Sequence, residues 1–588
     1  MKIGAAFSDE VHTGIASKRH TSEHAARNMR GYFFGVFIFL CSVTLLGRLF
    51  ILQILQGEYY RNLSDSNRTH TTIIHAPRGI IFDRNGKPLV YNVPGFRETV
   101  NGKTNLLTQS EAIGKLSSGI SLAIDSLREY PLADAASHVV GYIGQITPDD
   151  LKTPQFAGYQ QGDLIGKMGI EEEYESLLRG TDGQTISEVD ATGKVIRKLG
   201  QTDPIPGQNV TITLDSSLQQ QVAKAMSGVQ KGAAIVENPT GEVLAMVSKP
   251  SFDPNLFTMG ENVVVSSTSA YKTVEQVLLD NSSQPFLNRT IGGTYPPGST
   301  FKLVTAAAGL ESGQIDRNFT VEDTGILKVG DFSFANWYYT DYGKTEGTVD
   351  IVKAIQRSND IFFYKVGEKI GVDTISQEAA KFGVGHTLGI DMSGEAKGLL
   401  PTKEWKKQAI GEDWYLGDDY HYAIGQGYLL TTPLQVNAWT QALANGGTLY
   451  KPHLLKAQSP QTLDKNFLNT NTVSLIRQGM IEACSTGGVA WPLFDFKVKN
   501  AKLPIDGKNF LPVEGASGSA DMRFVSIACK TGTAQHGDSS TMPHAWITLF
   551  APAYHPQIIV TVLSESSGEG SNVAGPIAKE ILTDWFTR

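Results

Sequence analysis

The 588-residue sequence, 41% hydrophobic and 19% charged, has the composition of a folded protein and the length of about three or four domains. Its 51 Lys and Arg against 59 Asp and Glu give a net charge of −8, which leaves no basic stripe for nucleic acid. Three cysteines, Cys41, Cys484 and Cys529, are too few and too scattered for a disulfide framework or a zinc knuckle. Cys484 and Cys529 could pair, and their spacing leaves the point open.

Residues 1–30 are polar and carry Lys2, Lys18, Arg19, Arg27 and Arg30. Residues 31–47 hold no charge, and the apolar run resumes after Arg48 as far as Leu55. About 20 apolar residues cross a bilayer, and an arginine near the edge can reach the interface. No small-x-small cleavage site follows Leu55, so the segment reads as an anchor and not a signal peptide. The basic residues before it put the N-terminus in the cytoplasm and the bulk outside. The expected plan is a cytoplasmic tail (1–30), a transmembrane helix (31–56), a pedestal (57–225) and a larger domain (226–588).

In the pedestal, Asn85-Gly86 between two short β-rich runs predicts a hairpin. Residues 92–160 read as mixed short elements. A helix is expected over 170–178, then two glycine-punctuated strands, a strand over 208–214 and a capped helix over 215–226. No catalytic constellation appears in 57–225. Beyond Lys231, residues 233–236 and 242–247 read as a strand pair about Asn238-Pro-Thr-Gly241. A mostly helical stretch through Arg477 follows, then strands over 525–528, 544–550 and 558–563 and a helix over 577–586. Strands at both ends with helices between them predict an α+β domain built on one five-stranded antiparallel sheet.

Three motifs in this domain carry chemistry. Tyr295-Pro-Pro-Gly-Ser299-Thr-Phe-Lys302 is a rigid turn running into an Ala-rich apolar helix. Residues three apart on a helix are neighbours, so Ser299 and Lys302 would share a face, a hydroxyl beside an amine. Such a pair performs acyl transfer without histidine if burial lowers the amine's pKa. A lone S-x-x-K is more often a helix cap, and Ser269-Ala-Tyr-Lys272 is a decoy without the turn. The second motif is Ser358-Asn-Asp360, a polar triplet between apolar blocks. The third is Lys530-Thr531-Gly532-Thr533, after the β-run at 525–529, where Gly532 would let a bound backbone approach the strand.

S-x-x-K, a Ser-x-Asp turn and K-T-G on a strand, in that order, form the signature of penicillin-binding proteins and the related β-lactamases. From about Arg48 to its end the chain resembles the class B penicillin-binding proteins, most closely their elongation-type D,D-transpeptidases. The resemblance includes the Ala76-Pro-Arg-Gly segment, Gly166-Lys-Met-Gly-Ile-Glu171, Leu178-Arg-Gly180 and Asn288-Arg-Thr290. It also includes Ala423-Ile-Gly-Gln-Gly427 and Thr432-Pro-Leu-Gln435. Asp360, where division-type relatives usually have Asn, favours the elongation type.

The resemblance implies a role for each residue. Ser299 would attack the bond between the terminal D-alanines of a peptidoglycan stem peptide, with Lys302 as base and Ser358 relaying the proton. Lys530, Thr531, Gly532 and Thr533 would bind the terminal carboxylate. Backbone N–H groups of Ser299 and Thr533 would form the oxyanion hole. β-Lactams would trap Ser299. An ionised Asp360 near Lys302 would oppose its role as base, and the reading adopted is that the charge of Lys530 offsets this. Other implied partners are the membrane and a polytopic SEDS-type glycosyltransferase of the elongation complex. Some elongation-type relatives hold zinc through Asp, His and Cys around the second motif. Here no His lies between Gly330 and Ser358 and Asn359 stands in place of the Cys, so neither metal nor other cofactor is expected. The stretch between Asn92 and His138 is short, which implies a reduced outer head. Competing readings are a septal transpeptidase, a D,D-carboxypeptidase, a β-lactamase (which lacks the anchor and pedestal), and a membrane-bound β-lactam receptor or inactive scaffold.

Overall fold

The computed structural model describes residues 23–588 apart from 101–102, 119, 121, 191, 193, 260–264, 266–268, 500–502, 514–521 and 539. Most of the polar tail read at 1–30 therefore lies outside the described residues. The described chain forms two compact units, one reaching Ile74 and including Gly183–Asp203, the other His75–Asp182 with Pro204–Arg588. The pedestal read at 57–225 is thus divided between them.

In the first unit the helix Glu23–Phe50 continues through a wider π turn, Ile51–Leu55. Met29–Leu55, 27 residues, is the one helix among the described residues long and apolar enough to cross a membrane. Its Phe33, Phe34, Phe37 and Phe39 point outward, as side chains do when lipid replaces a protein core. The strand Thr69–Ile74 pairs with Gly183–Val189, which pairs with Val195–Thr202.

The second unit begins with the expected hairpin, Ile81–Phe82 against Pro88–Val100. Asp83 Oδ1 accepts from the Asn85 and Lys87 N–H groups, and Gly86 takes the positive φ of 81° that such a turn requires. The helix expected over 170–178 is two short ones, Gly169–Glu173 and Glu175–Leu178. Glu171, 0% exposed, accepts from Arg78 Nη2 at 2.8 Å and Arg128 Nε at 2.7 Å, and Arg78 also reaches Glu175 at 2.8 Å. This buried ion cluster ties the Ala76-Pro-Arg-Gly segment to the Gly166–Glu171 segment.

The five-stranded antiparallel sheet runs in the order Val243–Lys249, Gly232–Glu237, Ile558–Ser564, His544–Ala551, Ala528–Ala534. Side chains alternate between its faces. Ala233, Ile235, Trp546 and Leu563 enter the core with the Lys302–Glu311 and Pro433–Ala444 helices. Ala234, Val236, Ile547 and Val562 pack with the Ser216–Ala225 and Ala574–Thr587 helices. With both faces covered, the strands read as unbroken apolar runs. Pro433–Ala444 is buried on every side, and its Thr440 is tied into the sheet: Thr440 Oγ1 bonds Thr548 Oγ1 at 2.7 Å, which bonds Thr561 Oγ1 at 2.8 Å.

Two stretches differ from the sequence reading. The segment expected to be mostly helical holds two short strand pairs, Thr320–Asp323 with Gly347–Asp350 and Ile326–Val329 with Phe332–Ala335. The run at 525–528 is interrupted: Met522–Val525 pairs outside the main sheet, and Ala528–Ala534 starts a new strand that carries Lys530 itself. Cys484, just past the Thr470–Ala483 helix, is disulfide-bonded to Cys529, with Cα atoms 5.9 Å apart.

Burial pushes the Glu171 carboxyl up, but Arg128 and Arg78 outweigh it and hold the group below its ordinary value. A depressed folded pKa adds stability above the unfolded value near 4.5 that is lost as pH falls through the folded one. We expect Glu171→Ala to cost about 3–5 kcal/mol, because it removes the carboxylate from the buried Arg128 guanidinium and leaves Arg78 with Glu175 alone. Thermal unfolding of the detergent-solubilised chain checks this, and the deficit against wild type should shrink as pH falls below 4.5 and through the folded value.

Candidate active site

The nucleophile turn is built from its chain neighbours. Pro297 caps a 3-10 turn, Gly298–Thr300, and the helix Lys302–Glu311 follows. The Gly298 N–H donates to Gly425 O at 2.9 Å. Gly425 has φ 76°, and a Cβ there would overlap the Gly298 carbonyl, so the Gly-Gln-Gly segment supports the turn only as glycine. On the other side Trp546 Nε1 donates to Pro296 O at 3.1 Å. Tyr295 Oη and Arg289 Nε both donate to Glu565 Oε1 at 2.7 Å, which clamps the turn to the end of a sheet strand.

Ser358 ends the helix Ile351–Arg357 in the left-handed region, φ 53°, ψ 39°. A non-glycine residue held there stores about 1–3 kcal/mol. Asn359 caps the next helix through Phe362 N at 2.9 Å, and Asp360 is the first residue of that helix. The strained residue is therefore fixed between two helix ends, with its hydroxyl facing the cleft.

The three motifs converge on that hydroxyl. Lys302 Nζ lies 3.3 Å and Lys530 Nζ 2.9 Å from Ser358 Oγ. Lys302 also donates to Ser358 O at 2.8 Å and Asp360 Oδ1 at 2.6 Å, and Lys530 to Thr531 O at 2.8 Å. Both lysines are 0% exposed. Ser299, half-buried one residue into the turn, takes no hydrogen bond among the described residues. The amine expected beside its hydroxyl has all three donor positions occupied by Ser358 and Asp360. Thr533 is exposed, and its Oγ1 accepts from Gly570 N at 3.4 Å.

Gly532 has a packing role that the sequence reading did not include. A Cβ there would lie 3.0 Å from Thr300 Cγ2 and 3.1 Å from Pro297 O and Trp546 Cβ. The glycine thus admits the Ser299 turn against the strand. Asp360 also behaves differently from the expectation. Burial is the largest influence on Lys302 and lowers its pKa, while Asp360 opposes it. Lys530 lies well below its ordinary value through burial first and the neighbouring charge of Lys302 second. Desolvation, not Lys530, is what offsets Asp360.

The region where some relatives hold zinc has the wrong donors. Asn336 Nδ2 and Asn359 Nδ2 both point N–H groups at Asp323 Oδ2, at 2.8 and 2.9 Å, whereas a cation needs lone pairs. Elsewhere His75, Asp163 and Asp182 lie within ligand distance of one another, but Arg179 bonds Asp163 at 2.8 Å and Ala76 N bonds Asp182 at 2.7 Å. Sequence reasoning missed Asp323, Asn336 and Trp337. The only available signal was an Asp-Thr-Gly turn inside a stretch read as helical.

Residues 232–583 match the family described as penicillin binding protein transpeptidase domain, and residues 104–212 the penicillin-binding protein dimerisation domain. The chain belongs to the penicillin-binding protein family and carries its transpeptidase domain. More particularly, it is 31% identical to an Acinetobacter baumannii protein named peptidoglycan D,D-transpeptidase MrdA, over 94% of this chain and 87% of that protein. The fold matches penicillin-binding protein 2 of Helicobacter pylori in a complex with MreC, with TM-score 0.71, 27% identity and coverage of 88% of this chain and 99% of that one. It also matches a chain from a structure of a peptidoglycan synthase complex that coordinates polymerization and crosslinking, with TM-score 0.69, 27% identity and 94% and 97% coverage.

Gly532→Ala should push the nucleophile turn off the strand by a few tenths of an ångström. We expect acylation by a fluorescent penicillin to slow by about tenfold with little change in melting temperature.

Proposed function

We propose that this chain is an elongation-type peptidoglycan D,D-transpeptidase, anchored by Met29–Leu55 in a bacterial cytoplasmic membrane with the catalytic domain outside. The observation that carries the reading is one strained hydroxyl, Ser358, held by two buried amines beside a turn that presents Ser299. The Cys484–Cys529 disulfide supports the extracytoplasmic side, where such bonds persist.

Neutral Lys302 has one fewer N–H and a free lone pair, so it can release an acceptor and take the Ser299 proton. Ser299 Oγ then attacks the carbonyl between the terminal D-alanines. The C–N bond breaks, and the departing D-alanine nitrogen receives a proton through Ser358, leaving an ester on Ser299. An amine from a neighbouring stem attacks that ester, forms the cross-link and returns the proton to Ser299. A substrate carboxylate reaching Thr531 and Thr533 brings negative charge that restores a proton to Lys530. The open side of Ala528–Ala534, an edge strand, suits an extended peptide lying alongside it. Backbone N–H groups of Ser299 and Thr533 serve as the oxyanion hole. The Helicobacter complex with MreC supports elongation-complex membrane partners, among which we place a SEDS-type glycosyltransferase. β-Lactams resemble the D-alanyl-D-alanine end and acylate the same serine.

Fluorescent penicillin should label the wild-type chain covalently, and Ser299→Ala should lose the label while melting within about 0.5 kcal/mol of wild type. Persistent labelling would overturn the assignment. With two stem peptides, a cross-linked dimer supports transpeptidation, whereas release of D-alanine alone would make the enzyme a carboxypeptidase. Because the Lys302 pKa is lowered, the base form appears at lower pH than for a free lysine. The acylation rate should therefore rise with pH and level off below the ordinary value of 10.5.

A further inference from the structure

Asp323, at the end of the strand Thr320–Asp323, has a carboxylate 2% exposed that forms no ion pair among the described residues. Four N–H groups reach it instead. Gly325 N donates to Oδ1 at 2.8 Å. Asn336 Nδ2 (2.8 Å), Glu346 N (3.0 Å) and Asn359 Nδ2 (2.9 Å) all donate to Oδ2. These donors come from four places: its own turn, the start of the Trp337–Tyr342 helix, the entry to the Gly347–Asp350 strand and the middle of Ser358-Asn-Asp360.

Both amides pass the hold forward. Asn359 Oδ1 caps the helix that begins at Asp360. Asn336 Oδ1 accepts the Asp360 N–H at 3.1 Å. The next residue, Trp337, donates its N–H to Asp360 Oδ2 at 2.9 Å, and the other oxygen of that carboxylate is the one on Lys302. Asn336 stands at an N-cap position, where asparagine is among the best caps, yet its side chain caps nothing. Its side-chain hydrogen bonds go to Asp323 and Asp360, so the small helix gives up a cap to the second motif.

We infer that Asp323 is a positioning residue for acyl transfer: by gripping Asn336 and Asn359 together, it sets Asp360 and Ser358 in register with Lys302. It touches neither substrate nor reacting atoms and acts through those two amides. The inference rests on the reading of the site as an acyl-transfer centre.

The test uses the full-length chain in detergent and a fluorescent penicillin, with the acylation rate constant and the preceding dissociation constant resolved by saturation. Asp323→Ala should slow the acylation step by about tenfold to a hundredfold, leave the dissociation constant within about threefold, and still label at Ser299. Asp323→Asn should recover most of the rate, since one amide orientation keeps the three Oδ2 bonds and loses only Gly325 N. Loosening Asp360, which raises the Lys302 pKa while the neighbouring Lys530 is the other titratable amine on the site, should also move the acid limb of the pH–rate profile downward in Asp323→Ala. A loss of fold alone would move neither the limb nor the rate of the folded fraction. If Asp323→Ala fails to fold, Asn336→Ala, which cuts the same chain of bonds, is measured in its place with the same rate loss and limb shift expected. Wild-type acylation rates in folded Asp323→Ala or Asn336→Ala, or an Asp323→Asn rate as low as the alanine variant, would overturn the inference. Failure of the wild type to label would instead overturn the reading of the site.

Discussion

The structure turns on a hydroxyl pinned between two desolvated amines. Burying an ammonium group without compensation costs several kcal/mol, and here Lys302 and Lys530 share one Ser358 Oγ, with Asp360 on Lys302 as the pair's one carboxylate partner among the described residues. The arrangement is tolerated because burial lowers both amines. That shift leaves a buried base close to a hydroxyl. The same physics that makes the pair expensive therefore makes it reactive.

The three groups come from points in the chain 56 and 172 residues apart, so they meet only if the whole domain closes. Alternation in the sheet puts Lys530 and Gly532 on the face that receives the nucleophile helix. The turn before that helix is squeezed between Gly425 and Gly532, two positions with no room for a side chain. Glu565 fixes its start through Tyr295 and Arg289. Precision in the cleft thus derives from close approach of backbones together with buried side-chain hydrogen bonds.

Much of this was legible in the sequence where the signal was local or periodic. The strand pair around Asn238-Pro-Thr-Gly241 and the final helix follow from patterning, and the order of the three motifs located Ser299, Lys302, Ser358, Asp360 and Lys530. The failures share a cause: they depend on what lies across the fold. Strands at 320–335 were hidden because each is four residues long, shorter than a periodicity needs. The break after Val525 was invisible because the residues flanking it, Phe524-Val525 and Ile527-Ala528-Cys529, are apolar, although the two strands belong to different sheets. Whether Ser299 touches Lys302 could not be read from spacing, since a 3-10 turn separates them from a common helix. The role of Gly532 likewise depends on Thr300 and Trp546, neither of which announces itself as a neighbour.

The Cys484–Cys529 bond bears on how the cleft withstands use. Cys529 immediately precedes Lys530 on a strand whose outer rim has no partner strand among the described residues, and unpaired rims are the parts of a sheet most prone to fray. A covalent rivet there, on the face away from the cleft, keeps the rim straight when an incoming peptide pulls along it. Lys530 therefore inherits its steadiness from a bond made behind it.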